Sequence, residues 1–204
     1  MSSLRTLLSV AALAAAASPT AALAAERQAI FAGGCFWCIE KDFEGVPGVI
    51  DVVSGYTGGT NENPTYKNHT KYGHREVVRI TYDDAKIDYP TLASMFFRSV
   101  DPTDAGGQFC DRGFSYSTAI YALDGKQLEQ AKAAKADAAA ALGKELATEI
   151  TMAAPFTEAE DYHQDYYRKS PVRYRYYRYA CGRDKRVKAL WGDDAYAGFP
   201  DKTS

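Results

Sequence analysis

The feature that most limits what this chain can fold into is the order of its short periodic segments: strand, helix, strand, strand, helix, strand, between Gln28 and Leu123. Gln28 to Ala32 is apolar and ends at Gly33-Gly34. Phe36, Ile39 and Phe43 then recur at helical spacing until Gly45-Val46-Pro47-Gly48 stops the pattern. Val49 to Tyr56 reads as a second strand, and a Gly-, Asn- and Thr-rich loop covers Thr57 to Gly73. In Glu76 to Tyr82, Val78, Ile80 and Tyr82 alternate with Val77, Arg79 and Thr81, as in a strand. Pro90 opens a helix over Thr91 to Ser99, a loop covers Asp101 to Gly113, and Ser117 to Leu123 is a fourth strand. This order predicts an α+β fold: a ferredoxin-like two-layer αβ sandwich of the split βαβ kind, with a C-terminal extension.

Beyond that core, Asp124 caps a long Ala/Lys helix that Gly143 stops near Leu142, and Thr148 to Met152 reads as a further strand. Thr157-Glu158-Ala159-Glu160 has the form of a capping box, predicting a helix to about Lys169. The first segment reads as an export signal: Arg5, an apolar run from Leu7 to Ala17, a Ser18-Pro19-Thr20 break, and Ala22-Leu23-Ala24 as the cleavage site. That run is far short of the ~20 residues that span a bilayer, and no later stretch is long enough. The expectation is a signal peptide over 1–24 and a single catalytic domain over 25–204, exported to the periplasm or secreted. A formal net charge of −2 gives no general attraction to nucleic acid or anionic membrane.

Export leaves four cysteines where disulfides persist: Cys35, Cys38, Cys110 and Cys181. Their spacing fits no structural zinc site, and Ile39 after Cys38 excludes haem attachment, so neither a cofactor nor a metal is expected. Cys35 stands between a Gly-Gly turn and a helix start, where amides and the helix dipole favour a thiolate. Phe36 and Trp37 beside it can wall a small apolar pocket.

Gly34-Cys35-Phe36-Trp37 resembles the signature of class A peptide methionine sulfoxide reductases. Further blocks follow in that family's order: Gly55-Tyr56-Thr57-Gly58-Gly59, Asn63-Pro64-Thr65-Tyr66, Gly73-His74-Arg75-Glu76, Asp101-Pro102-Thr103, Asp111-Arg112-Gly113 with Tyr116-Ser117, and Glu160 to Tyr166. The resemblance implies that Cys35 attacks the sulfoxide sulfur and that Glu76, its pKa raised by a dry pocket, protonates the oxygen. It implies that Tyr66 and Tyr116 hydrogen-bond that oxygen, that Asp111 belongs to the polar site, and that Phe36 and Trp37 hold the methyl group. His163 reads as a residue that holds local structure. The implied substrate is methionine-S-sulfoxide, free or in proteins. The cycle would pass through a sulfenic acid and a disulfide, reset by a thioredoxin-like dithiol, in repair of oxidised proteins.

The resolving cysteine is where the sequence departs from many relatives. Cys181 lies in a tail that can swing, Cys38 is one helical turn from Cys35, and Cys110 adjoins Asp111; the reading slightly favours Cys181, then Cys38. A competing reading is an exported thiol–disulfide oxidoreductase using Cys35-x-x-Cys38. Arg168 to Lys188, rich in Arg, Lys and Tyr, also has the composition of a single-stranded nucleic-acid grip, but it reads more simply as a tail wrapping the domain, with no nucleic-acid partner. Nothing in the sequence demands more than a monomer.

Overall fold

The computed structural model describes residues 25–200, so the expected signal peptide lies outside the described residues. Six strands form one sheet, in the order β7-β6-β1-β3-β2-β8. They are β1 (Glu26–Ala32), β2 (Val49–Thr57), β3 (Arg75–Asp83), β6 (Ala119–Ala122), β7 (Glu149–Met152) and β8 (Thr157–Glu158), and a separate short hairpin is made by β4 (Gly107–Gln108) and β5 (Asp111–Arg112). Neighbouring strands are antiparallel except β6 and β7. The helices are α1 (Phe36–Phe43), α2 (Tyr89–Arg98), α3 (Gly125–Leu142), α4 (Tyr166–Lys169), α5 (Pro171–Ala180) and α6 (Arg183–Trp191). The fold is thus mixed α and β about a central sheet.

Strand alternation divides the core. Ala29, Phe31, Val78 and Ile80 face the layer that holds Ile39 and Phe43 of α1 and Leu92 and Phe96 of α2. Ile30, Ala32, Val77 and Tyr121 face the other way, against Ala153 and Phe156. The sequence places the helix ends well where local chemistry sets them. Asp88 accepts the Thr91 N–H (2.9 Å) and Asp124 the Gln127 N–H (2.7 Å), while Gly143 ends α3 at φ 60°.

Two expectations need correction. Thr157-Glu158 does not open a helix: Thr157 and Glu158 pair with Tyr56 and Gly55 as edge strand β8, and the next helix starts only at Tyr166. The Glu160 carboxylate does not reach back to cap Thr157. It accepts instead from the Tyr56 hydroxyl (3.0 Å) and the Tyr66 N–H (3.1 Å), partners that only the tertiary fold supplies. The C-terminal stretch is also no swinging tail. It forms α5 and α6, with Val187 and Trp191 in the core and the Trp191 N–H on the Val100 carbonyl (3.2 Å). Arg178 pairs with Asp42 (2.7 Å) and Asp184 (2.7 Å), so the Arg- and Tyr-rich composition is partly spent on internal contacts.

Candidate active site

The turn between β1 and α1 has room for glycine alone. Gly34 has φ +87°, and a Cβ there would come 2.6 Å from the Cβ of Gln108; a Cβ on Gly33 would meet Ile39 at 2.4 Å. The fully buried Arg183 secures the turn from outside, donating to the carbonyls of Gly33 (3.1 Å) and Ser99 (3.0 Å). Cys35, the next residue, is therefore held at the head of α1.

Glu76 lies on β3 opposite Tyr56 of β2 and is 2% exposed. Its Oε2 accepts the Phe36 N–H at 3.0 Å. Burial pushes this carboxyl up from 4.5 to about 8, against the pull of that hydrogen bond, so it is mostly protonated at neutral pH. His69 Nε2 stands 3.8 Å from Glu76 Oε1. Burial holds the His69 ring below its ordinary range, and its Nδ1 faces the Tyr66 carbonyl (2.9 Å) while Nε2 faces the Thr70 hydroxyl (3.2 Å). That arrangement suits the neutral Nδ1–H tautomer, and the His69–Glu76 contact is not an ion pair near pH 7.

The sequence predicts that the helix start depresses the Cys35 pKa; the structure points the other way. The first helical N–H, that of Phe36, is taken by Glu76, and Cys35 is only 7% exposed. Burial, followed by the Cys38 sulfur, pushes the Cys35 thiol well up. Cys38 moves down instead, chiefly through the hydrogen bond from Cys35 and then the Arg183 and Arg178 guanidiniums. The two sulfurs are one coupled pair whose first proton leaves easily and whose second is held.

Cys35, Phe36, Trp37, Tyr66, Glu76, Asp111 and Tyr116 all line one cavity of about 50 Å³. It has room for the tip of a side chain and little more. Sequence separation hides how they meet. Arg75 donates to Ser117 Oγ (2.9 Å), which fixes Tyr116 beside Glu76. Glu160 ties the loop carrying Tyr66 to Tyr56. Trp37 donates its indole N–H to His163 Nδ1 (3.1 Å) and stacks on Tyr166 at 3.7 Å, so His163 holds the aromatic wall. Burial pushes the Tyr66 and Tyr116 hydroxyls up, with the Glu76 charge next, keeping both as O–H donors.

Tyr177 of α5 also lines the cavity, a residue that sequence reasoning leaves among the tail tyrosines. Its hydroxyl donates to Asp111, and it shares the cavity wall with Cys35, whose pKa it draws down against the effect of burial. A much larger trough of about 1160 Å³ runs along α5 and α6 past Lys41, Tyr174 and Arg175. It is lined by no cysteine and by none of the residues that line the Cys35 cavity.

Cys181, the favoured resolving thiol in the sequence reading, is bonded to Cys110, which leaves Cys35 and Cys38 as the free pair. Cys110, Asp111 and Cys181 also form a grouping of potential metal donors among the described residues, but its two sulfurs are bonded to one another. A thiol–disulfide oxidoreductase of the C-x-x-C type needs an accessible, acidic first cysteine. Here the first cysteine is buried and pushed up.

Comparison with known proteins bears on this arrangement. A family model described as peptide methionine sulfoxide reductase matches residues 27–195. The chain is 56% identical over 178 residues to a peptide methionine sulfoxide reductase, MsrA 2, of Rhizobium meliloti (strain 1021), covering 87% of this chain and 90% of that one. Among solved structures it is similar to Mxr1 from Saccharomyces cerevisiae in reduced form, with TM-score 0.67, 28% identity, and 72% of this chain and 86% of that chain covered. It is also similar to methionine sulfoxide reductase A of Corynebacterium diphtheriae, with TM-score 0.65, 30% identity, and 72% and 76% covered.

Proposed function

The chain belongs to the peptide methionine sulfoxide reductase family, and from that premise we propose how its own residues reduce the sulfoxide. It reduces methionine sulfoxide to methionine. The observation that carries the mechanism is a buried carboxyl, still protonated near neutral pH, in the same small cavity as Cys35.

Phe36 and Trp37 receive the methyl group. The sulfoxide oxygen accepts from Tyr66, Tyr116 and Glu76, and the Glu76 proton passes to it as negative charge builds there. The Cys35 sulfur attacks the substrate sulfur while its own proton passes to Cys38, the member of the pair whose pKa is pulled down. Methionine leaves and Cys35 retains the oxygen as a sulfenic acid. Cys38 then attacks that sulfur, water departs, and a Cys35–Cys38 disulfide forms. Asp111 and Tyr177 hold the far wall. Donors on one side and an aromatic methyl site on the other support selection of one epimer, methionine-S-sulfoxide.

A thioredoxin-like dithiol resets the enzyme by exchange. The solved complex of yeast Mxr1 with Trx2 supports this kind of reductant. The strand order β6-β1-β3-β2, antiparallel throughout, supports the finer reading of the core as a ferredoxin-like split βαβ sandwich. The leader-like segment 1–24, together with a half-exposed disulfide, supports export of a single domain over 25–204 to an oxidising compartment.

The test is stereo-resolved turnover. Wild type should consume one epimer, and Cys35→Ser neither. Cys38→Ser should leave a sulfenic acid that dimedone traps. Turnover by Cys35→Ser, or equal consumption of both epimers, would overturn the reading.

A further inference from the structure

The trough along α5 and α6 is lined by two kinds of side chain. Tyr167, Tyr174 and Tyr179 supply aromatic surface, and Tyr179 is 85% exposed. Lys41, Arg175, Arg178, Lys185 and Lys188 supply cations, against a single carboxylate, Asp184. That carboxylate is already engaged. It accepts from Arg178 (2.7 Å) and from the Tyr196 hydroxyl (2.6 Å), and Arg178 holds Asp42 as well. Lys41, Arg175, Lys185 and Lys188 enter none of the ion pairs among the described residues. Arg175, Lys185 and Lys188 are exposed and Lys41 is half-buried. The trough thus presents uncompensated positive charge beside aromatic rings, in a chain whose formal net charge is −2. Like charges gathered around a concave surface focus their field on whatever anion enters it.

This surface adjoins the Cys35 cavity. On α1, Trp37 lines the cavity and Lys41 lines the trough, and residues four apart on a helix stand about 6 Å from one another. On α5, Tyr177 lines the cavity, and Tyr174 and Arg178 the trough. Tyr166 stacks on Trp37, and the next residue, Tyr167, reaches the trough. The cavity takes only the tip of a side chain, so the residues flanking a protein-borne sulfoxide must lie on the surface around it. An extended chain advances about 3.3 Å per residue, so about two residues carry it from the cavity to Lys41. Pro171 to Tyr179 of α5 runs about 12 Å along the trough, which takes about four more.

We propose that this trough docks the acidic flank of an oxidised protein, so that the enzyme selects sulfoxides with Asp or Glu about two to six positions away. The tyrosine rings take the apolar parts of the bound strand, and Lys41, Arg175, Lys185 and Lys188 pair with its carboxylates. Chemistry at Cys35 is unchanged; capture of the substrate is what improves. Exposed ion pairs are individually weak, and four acting on one strand shift KM by about tenfold. Salt screens them. Free methionine sulfoxide has no flank and gains nothing from the trough.

This docking surface rests on sulfoxide reduction at Cys35, and the choice of substrate separates the two claims. Free methionine sulfoxide reports the chemistry and peptides report the docking, all with a small dithiol as reductant so that no protein reductant occupies the surface. The peptides carry one methionine-S-sulfoxide flanked on both sides, at those positions, by Glu or by Lys. Wild type should show a KM about tenfold lower for the Glu peptide at low salt, with similar kcat, and the gap should close at high salt. Lys41→Glu/Arg175→Glu/Lys185→Glu/Lys188→Glu should invert the order and reduce free methionine sulfoxide as before. Equal KM for the two peptides, or a Glu preference that survives in the variant, would overturn the docking surface alone; no reduction of the free substrate by wild type would overturn the chemistry with it. Should the fourfold variant fail to fold, Arg175→Glu and Lys188→Glu, both at exposed positions, are measured singly. Each should narrow the gap about twofold, and an unchanged gap refutes the proposal. Tighter binding of a single-stranded oligonucleotide of equal charge than of the Glu peptide would assign the trough to nucleic acid and overturn it.

Discussion

Replacing Glu76 with Gln removes the one buried acid beside Cys35 while keeping its size and its acceptor for the Phe36 N–H. Raising a carboxyl from 4.5 to about 8 corresponds to about 5 kcal/mol between its two protonation states, at 1.36 kcal/mol for each pH decade. The sign follows from proton counting. Between pH 4.5 and about 8 the native protein holds a proton that the unfolded chain has released, so wild-type stability falls as pH rises through that window. Gln does not titrate. The stability of Glu76→Gln relative to wild type should therefore climb by several kcal/mol, up to about 5, from pH 4.5 to 8, read by urea unfolding at each pH. Catalysis should move oppositely. Loss of a positioned acid costs about 100-fold or more in kcat/KM, or about 3 kcal/mol of transition-state stabilisation. The wild-type rate should fall as pH rises past about 8, where Glu76 ionises, and this alkaline limb should vanish in the variant. A Glu76→Gln enzyme with a tenth or more of wild-type kcat/KM, or with the alkaline limb intact, would refute Glu76 as the proton source.

Other outcomes follow from the same packing. Gly34→Ala should destabilise by about 2–4 kcal/mol in denaturant melts, because φ +87° disfavours any L side chain and its Cβ would stand 2.6 Å from Gln108. Arg183→Met should cost about 3–5 kcal/mol by the same measure, since it strips the buried donor from the Gly33 and Ser99 carbonyls. It should also raise the pH at which the Cys35–Cys38 pair reacts with an alkylating probe, Arg183 being one of the cations that lower Cys38. Tyr116→Phe should lower kcat/KM by about 5- to 100-fold, the worth of one hydroxyl donor to a developing charge, with the melting temperature little changed.

The sequence by itself determined whatever depends on near neighbours. Phe36, Ile39 and Phe43 make a helix, and they do so over the range the spacing implies. Asp124 and Gly143 bound α3 because a cap is a matter of three or four residues. Gly33-Gly34-Cys35-Phe36-Trp37 announced a nucleophile at a tight turn. The ordered blocks from Tyr66 to Tyr116 named residues that share a cavity. Tertiary structure decided what depends on a partner distant in the chain. Thr157-Glu158 carries a helix-start pattern, yet the open edge of β2 takes it as a strand, since an unpaired sheet edge offers more hydrogen bonds than a cap. Tyr177 became a wall of the site only because α5 folds back over α1, and nothing in its local sequence says so. The charge on the sulfurs was decided in the same way. A helix start favours a thiolate on Cys35, but Glu76, 41 positions on, takes the amide and burial pushes Cys35 up, while the interaction with Cys35 and then Arg183 draw the easier deprotonation to Cys38. Propensity acts over a few residues, whereas desolvation and charge act through space, so only the folded chain fixes where a proton sits.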